Sequence, residues 1–180
     1  MRTPHLMASG CIAAGDPSAP YRHAELAIWD GLEHSRDVHP RAWKSPEEGA
    51  VLVSCALDEL WGAVRGGYLG RARAEAAQVG AMALRFLSDL YADDSAQVSA
   101  RDHRVLHQAR EARGTVGPRG RSLVSIHEGF GYLKREFEAL WSAVRFDDAA
   151  HDSAIHLAAI AVRFVAEITT ETQAQESALR

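Results

Sequence analysis

Residues 48–90 return as residues 128–168, and no other feature of this chain restricts its fold so tightly. At an offset of 80, Glu48-Gly49 falls on Glu128-Gly129, and Leu60-Trp61-x-Ala63-Val64-Arg65 falls on Leu140-Trp141-x-Ala143-Val144-Arg145. After a two-residue deletion the offset becomes 78, and Ala81-Met82-Ala83-Leu84-Arg85-Phe86 meets Ala159-Ile160-Ala161-Val162-Arg163-Phe164. A chain that repeats its apolar framework at a fixed period repeats a structural unit.

The apolar positions say what that unit is. Val53, Leu57, Leu60, Trp61 and Val64 fall at i, i+4, i+7, i+8 and i+11, one face of a helix, and Leu133, Phe137, Leu140, Trp141 and Val144 keep the register. Val79, Met82, Phe86 and Leu90 form a second stripe, matched by Leu157, Ile160, Phe164 and Ile168. Four such stripes predict an all-α protein in which two helical pairs close one pseudo-twofold four-helix bundle. Each pair alone would bury too little apolar surface, so a shared core is expected of the 180 residues.

Local signals place the helix ends. Ser45-Pro46-Glu47-Glu48 combines an N-cap, a proline at the first helical position and acids in the first turn, and Gly66-Gly67 stops that helix after Arg65. The next helix is predicted from Gly70 to about Ala92, with Asp93-Asp94-Ser95 separating the halves. Ser125-Ile126-His127-Glu128 reads as a capping box opening the second main helix, and Phe146-Asp147-Asp148 turns the chain into a last helix ending near Thr170. Helices are also predicted over 21–36 and 96–113, with a basic glycine-containing loop from Gly114 to Arg121. The organisation expected is a leader over 1–20, repeat 1 over 21–94, a linker helix and basic loop over 95–122, repeat 2 over 123–171 and a polar tail over 172–180.

Charge and cysteine content narrow the function classes. Twenty Lys and Arg against twenty-four Asp and Glu leave a net charge of −4, without the electropositive field of a nucleic-acid binder. No apolar run reaches the ~18 residues of a membrane span, and two cysteines are too few for a disulfide framework, so a cytoplasmic protein is expected.

His127-Glu128-Gly129-Phe130 running into Glu136-Phe137-Glu138-Ala139-Leu140-Trp141, together with Glu75-Ala76-Ala77-Gln78 through Arg85, resembles the MazG-like all-α nucleoside triphosphate pyrophosphohydrolases. The resemblance covers about half the chain, twice over, and implies hydrolysis of a nucleoside triphosphate to monophosphate and pyrophosphate. It also implies Mg²⁺ held by a Glu-Glu-x-x-Glu motif on one helix and a Glu-x-x-Asp motif on the next. Such chemistry suits Mg²⁺, which takes oxygen ligands and neutralises a triphosphate.

In the first copy those motifs fall on Cys55-Ala56-Leu57-Asp58-Glu59 and Glu75-Ala76-Ala77-Gln78. The resemblance therefore makes Glu59 and Glu75 the catalytic metal ligands, with Asp58 and Gln78 as further oxygens and Glu48 on the substrate side. In the second copy the motifs fall on Arg135-Glu136-Phe137-Glu138-Ala139 and Ser153-Ala154-Ile155-His156, so Glu136 alone is left to face a substrate. Nucleotide binding without turnover also fits the resemblance. Loss of at least two acids from each copy motivates the alternative, a catalytically inactive helical bundle that serves as a protein-interaction or assembly module. A homodimer or an unidentified protein partner then takes the place of a substrate.

Other residues have plainer readings. Trp61 and Trp141 lie within the apolar stripes and are expected to pack in the core, as is Cys55. Arg85 and Arg163 are expected to reach acids or helix ends, and His103 with His107 lacks the acid of a zinc motif. Arg119 and Arg121 belong to an exposed loop whose use on a polyanion would be at odds with the acidic remainder.

Overall fold

The computed structural model describes residues 16–92, 96–146 and 149–169. These form six α-helices: α1 (Ala19–Val38), α2 (Pro46–Arg65), α3 (Leu69–Leu90), α4 (Val98–Ala112), α5 (Ile126–Phe146) and α6 (Ala150–Glu167). Among the described residues there is no strand. The predicted leader up to residue 15, the Asp93-Asp94-Ser95 break, the Asp147-Asp148 turn, Thr170 and the tail lie outside the described residues.

The helix ends follow from local chemistry. Ser45 is extended and its Oγ accepts the Glu48 N–H at 3.2 Å, and Ser125 Oγ accepts the Glu128 N–H at 3.1 Å. The glutamates reach back one residue beyond the usual box, Glu48 to the Lys44 N–H and Glu128 to the Val124 N–H, each at 2.8 Å. Gly67 adopts φ +69°, and the Tyr68 and Gly67 N–H groups bond back to the Ala63 and Val64 carbonyls. This is a Schellman stop, which needs a left-handed residue where a side chain would be strained.

Helices α3 and α6 form the centre. From Val79 to Ser88 every residue of α3 is buried, and α6 is buried continuously from Leu157 to Ala166. A helix apolar on all sides must be enclosed by others, and α3 is packed by α1, α2, α4 and α6, as α6 is by α1, α3, α4 and α5. The two centres approach closely because small residues meet there: a methyl on Gly80 would lie 3.0 Å from the Ala161 Cβ. The flanking helices are part of the same core, with Ile28 and Leu32 of α1 and Val105 and Ala109 of α4 buried.

Two buried arginines tie the loops to this centre. Arg85, 1% exposed, donates to the Ser35 carbonyl at 2.7 Å, to the Arg41 carbonyl at 2.9 Å, to the His39 carbonyl, and to Asp89 at 3.2 Å. Arg163 donates to the Val116 and Pro118 carbonyls, to the Arg121 carbonyl at 2.7 Å, and to Glu167 at 2.7 Å. Asp89 accepts the Trp43 N–H just as Glu167 accepts the Leu123 N–H. A planar guanidinium with five donors suits a loop that presents several carbonyls inward. Both arginines thus meet acids, as expected from the sequence, and loop carbonyls as well.

The halves are also bonded to one another. Arg36 of α1 meets Asp102 of α4 at 2.7 Å, and Arg110 of α4 meets Glu25 of α1 at 2.6 Å. Tyr21 Oη donates to Glu167 of α6 at 2.9 Å, and burial with that carboxylate beside it raises the phenol's pKa.

Candidate functional site

Helices α2 and α3 run down and up from the Gly66-Gly67 stop, so Glu59 and Glu75 stand at similar heights on either side of it. Glu59 is exposed, whereas Glu75 is half-buried and bonded to Arg71 at 3.3 Å, one turn earlier on the same helix. Gln78 is directed elsewhere, its Oε1 lying 3.3 Å from the position a methyl on Gly31 of α1 would take. Asp58, about 100° around α2 from Glu59, lines a cleft against α5. Among the described residues no three His, Cys, Asp or Glu side chains converge as a metal-ligand group. Asp58, Glu59 and Glu75 therefore do not form a three-carboxylate metal group, and Glu75 already has a guanidinium partner.

Glu48, assigned to the substrate side, is engaged in folding: its carboxylate accepts from Lys44 N–H and pairs with Arg41. The equivalent Glu128 pairs with Arg121, and that hydrogen bond, with the Val124 N–H, holds the carboxyl below the usual glutamate range despite burial. Glu136 is buried on the flank of α5 that faces α6, with Arg135 at 2.6 Å and His156 of α6 at 3.8 Å. In the second copy the helix pair is thus occupied by a carboxylate set against basic side chains, an arrangement that opposes a cation.

The marked concavity lies on the other side, between α2 and α5. This cleft has a volume of 720 Å³ and is lined by Leu57, Trp61, Phe130, Phe137, Trp141 and Phe146, with Ser54, Asp58, Lys134, Glu138, Ser142 and Arg145 at its margins. The Trp61 and Phe130 rings stack at 4.8 Å between centroids, and Phe137 meets Trp141 at 6.0 Å. Trp61 is 40% exposed, Trp141 38% and Phe146 73%. The tryptophans are therefore not core residues, contrary to their stripe position. The reason is rotational: α2 turns Ala56 and Ala63 inward, which shifts the buried sector away from Trp61. Cys55, also expected in the core, is exposed because it lies on the face of α2 opposite the apolar stripe, about 180° away.

Sequence reasoning missed Phe130, Phe146 and Lys134 as parts of a surface. The available signal was the duplication of a tryptophan at the margin of each stripe, with Phe146 adding a third large ring at the end of α5. No described helix is long and apolar enough to cross a membrane. Compared with known protein families, with curated proteins and with solved structures, the chain matches none.

Proposed function

We propose that this chain is a tandem, degenerate relative of the MazG-like pyrophosphohydrolases, serving as a non-catalytic binding scaffold. In this reading α2, α3, α5 and α6 are a four-helix bundle related by a pseudo-twofold axis, and α1 and α4 are the equivalent flanking helices of two three-helix units. The paired caps at Ser45 and Ser125 and the paired clamps at Arg85 and Arg163 support it. One chain then builds what two subunits would otherwise build.

The observation that carries the non-catalytic reading is the state of the metal positions. Cys55, Ala56 and Gln78 replace acids in the first copy, and Arg135, Ala139, Ser153 and His156 replace them in the second. The remaining acids are dispersed or paired with arginines. A triphosphate brings about four negative charges, and a site without its cation repels it. What remains large, concave and open is the aromatic cleft, the kind of exposed apolar surface that marks an interaction site.

The matching heights of Glu59 and Glu75 favour the rival, a residual Mg²⁺-dependent site in the first copy. Thermal unfolding with each nucleoside triphosphate, with and without Mg²⁺, separates the two, because a ligand that binds only the native state must raise the midpoint. The scaffold reading expects no Mg²⁺-dependent rise. A rise that Glu59→Gln abolishes would establish the rival.

A further inference from the structure

We infer that the α2–α5 cleft is the interface through which a second copy of this chain pairs with the first, the two related by a twofold axis. The inference rests on the scaffold reading and names its partner. Three observations carry it. The cleft exposes two tryptophans and Phe146 on one face, and Trp rings at the centre of a patch are the usual anchors of protein–protein binding. Phe146 stands 73% exposed at the end of α5 while lining the cleft, so it is at once part of the groove and a ring able to enter a neighbouring one.

The third observation is charge. Lys134 and Glu138 neutralise each other within α5, one turn apart. Asp58 on α2 and Arg145 on α5 are left at the margin with no salt bridge among the described residues, Arg145 resting only against the Phe146 ring at 5.8 Å. One unpaired acid and one unpaired base on the same face make that face complementary to itself. A twofold axis brings Asp58 of each copy to Arg145 of the other, and the contact is made twice, as an isologous interface requires. It also closes, so the product is a dimer and not a fibre. A purely acidic or purely basic margin would have pointed to a partner of the opposite charge.

Sedimentation equilibrium of the 180-residue chain over a range of concentrations tests this, with circular dichroism confirming that each variant is folded. The wild type should be dimeric. Phe146→Asp should raise the dimer dissociation constant at least about 30-fold, the loss typical of a central anchor. Asp58→Arg and Arg145→Asp should each weaken it about tenfold, and the double charge swap should restore it to within about threefold. A wild type monomeric throughout overturns the inference, as does a dimer indifferent to Phe146→Asp and to the swaps. So does a monomer whose tryptophan emission is quenched by a small heteroaromatic compound, which would give the cleft to a ligand. The two readings fail separately: pyrophosphate release by a dimer refutes the scaffold and keeps the interface, while an inert monomer refutes the interface alone.

Discussion

Replacing Arg85 by methionine removes the guanidinium while keeping most of the unbranched stem in place, so the cost can be counted from its partners. The Ser35 carbonyl retains the His39 N–H, and Asp89 retains Arg36 at 2.9 Å and the Trp43 N–H at 3.2 Å. The His39 and Arg41 carbonyls lose the donor that Arg85 gives them. A buried acceptor left without a partner costs about 1–3 kcal/mol, and removing one member of a buried ion pair costs about 3–5 kcal/mol. A loss of about 3–5 kcal/mol follows, a large part of the ~5–15 kcal/mol that stabilises a typical domain. For a chain of this size it lowers the midpoint by roughly 6–20 °C. Urea unfolding followed by circular dichroism measures it, with an unchanged m-value showing that only stability has moved. Arg85→Lys should fall between the two, since an ammonium keeps the charge without the planar fork. Arg163→Met should lose a comparable amount, because Arg163 serves the loop before α5 as Arg85 serves the loop before α2. An Arg85→Met variant within about 1 kcal/mol of the wild type would refute the clamp.

Gly129→Ala should destabilise by about 1–3 kcal/mol despite alanine's better helix propensity, because its methyl would lie 2.4 Å from the fully buried Phe164 ring; urea unfolding checks it. Trp61→Ala should cost clearly less than Phe86→Ala, for which about 3–5 kcal/mol is expected, since Trp61 is 40% exposed and Phe86 wholly buried. Cys55 should be alkylated by a maleimide in native buffer, as mass spectrometry of its peptide would show; a Cys55 that reacts only in denaturant would contradict its exposure. Glu128 has its carboxyl pKa lowered on folding, chiefly by Arg121. Its contribution is therefore complete above the ordinary glutamate pKa of about 4.3 and is lost as the pH falls through the lower folded value. Glu128→Gln should flatten the acid limb of the stability profile in that window, and an unaltered limb would contradict the assignment.

Where function and fold depend on local chemistry, the chain was legible residue by residue. Ser45-Pro46 and Gly66-Gly67 announce the ends of α2 because capping and a left-handed stop involve only near neighbours, and α2 begins and ends where they say. The duplicated stripes led to an all-helical protein for the same reason. Other features depend on which sector of a helix its neighbours cover. Trp61 sits in an apolar stripe, yet it is exposed because Ala56 and Ala63 turn inward, while Cys55, expected in the core, lies on the opposite face of α2. The site was less legible still. Glu48 looked available to a substrate because nothing in the spacing tells that Arg41 and the Lys44 N–H hold it. Nor does the spacing reveal that Gln78 lies beside Gly31 of α1, nearly fifty residues away in the chain.

Release of pyrophosphate from nucleoside triphosphates in the presence of Mg²⁺ tests the central claim most directly, because the claim is that the helices persist while the metal positions do not. The account predicts no release above buffer for any of the triphosphates, and no difference between the wild type and a Glu59→Gln, Glu75→Gln double variant. Mg²⁺-dependent release that this double variant abolishes would contradict it and restore the first copy as an active site.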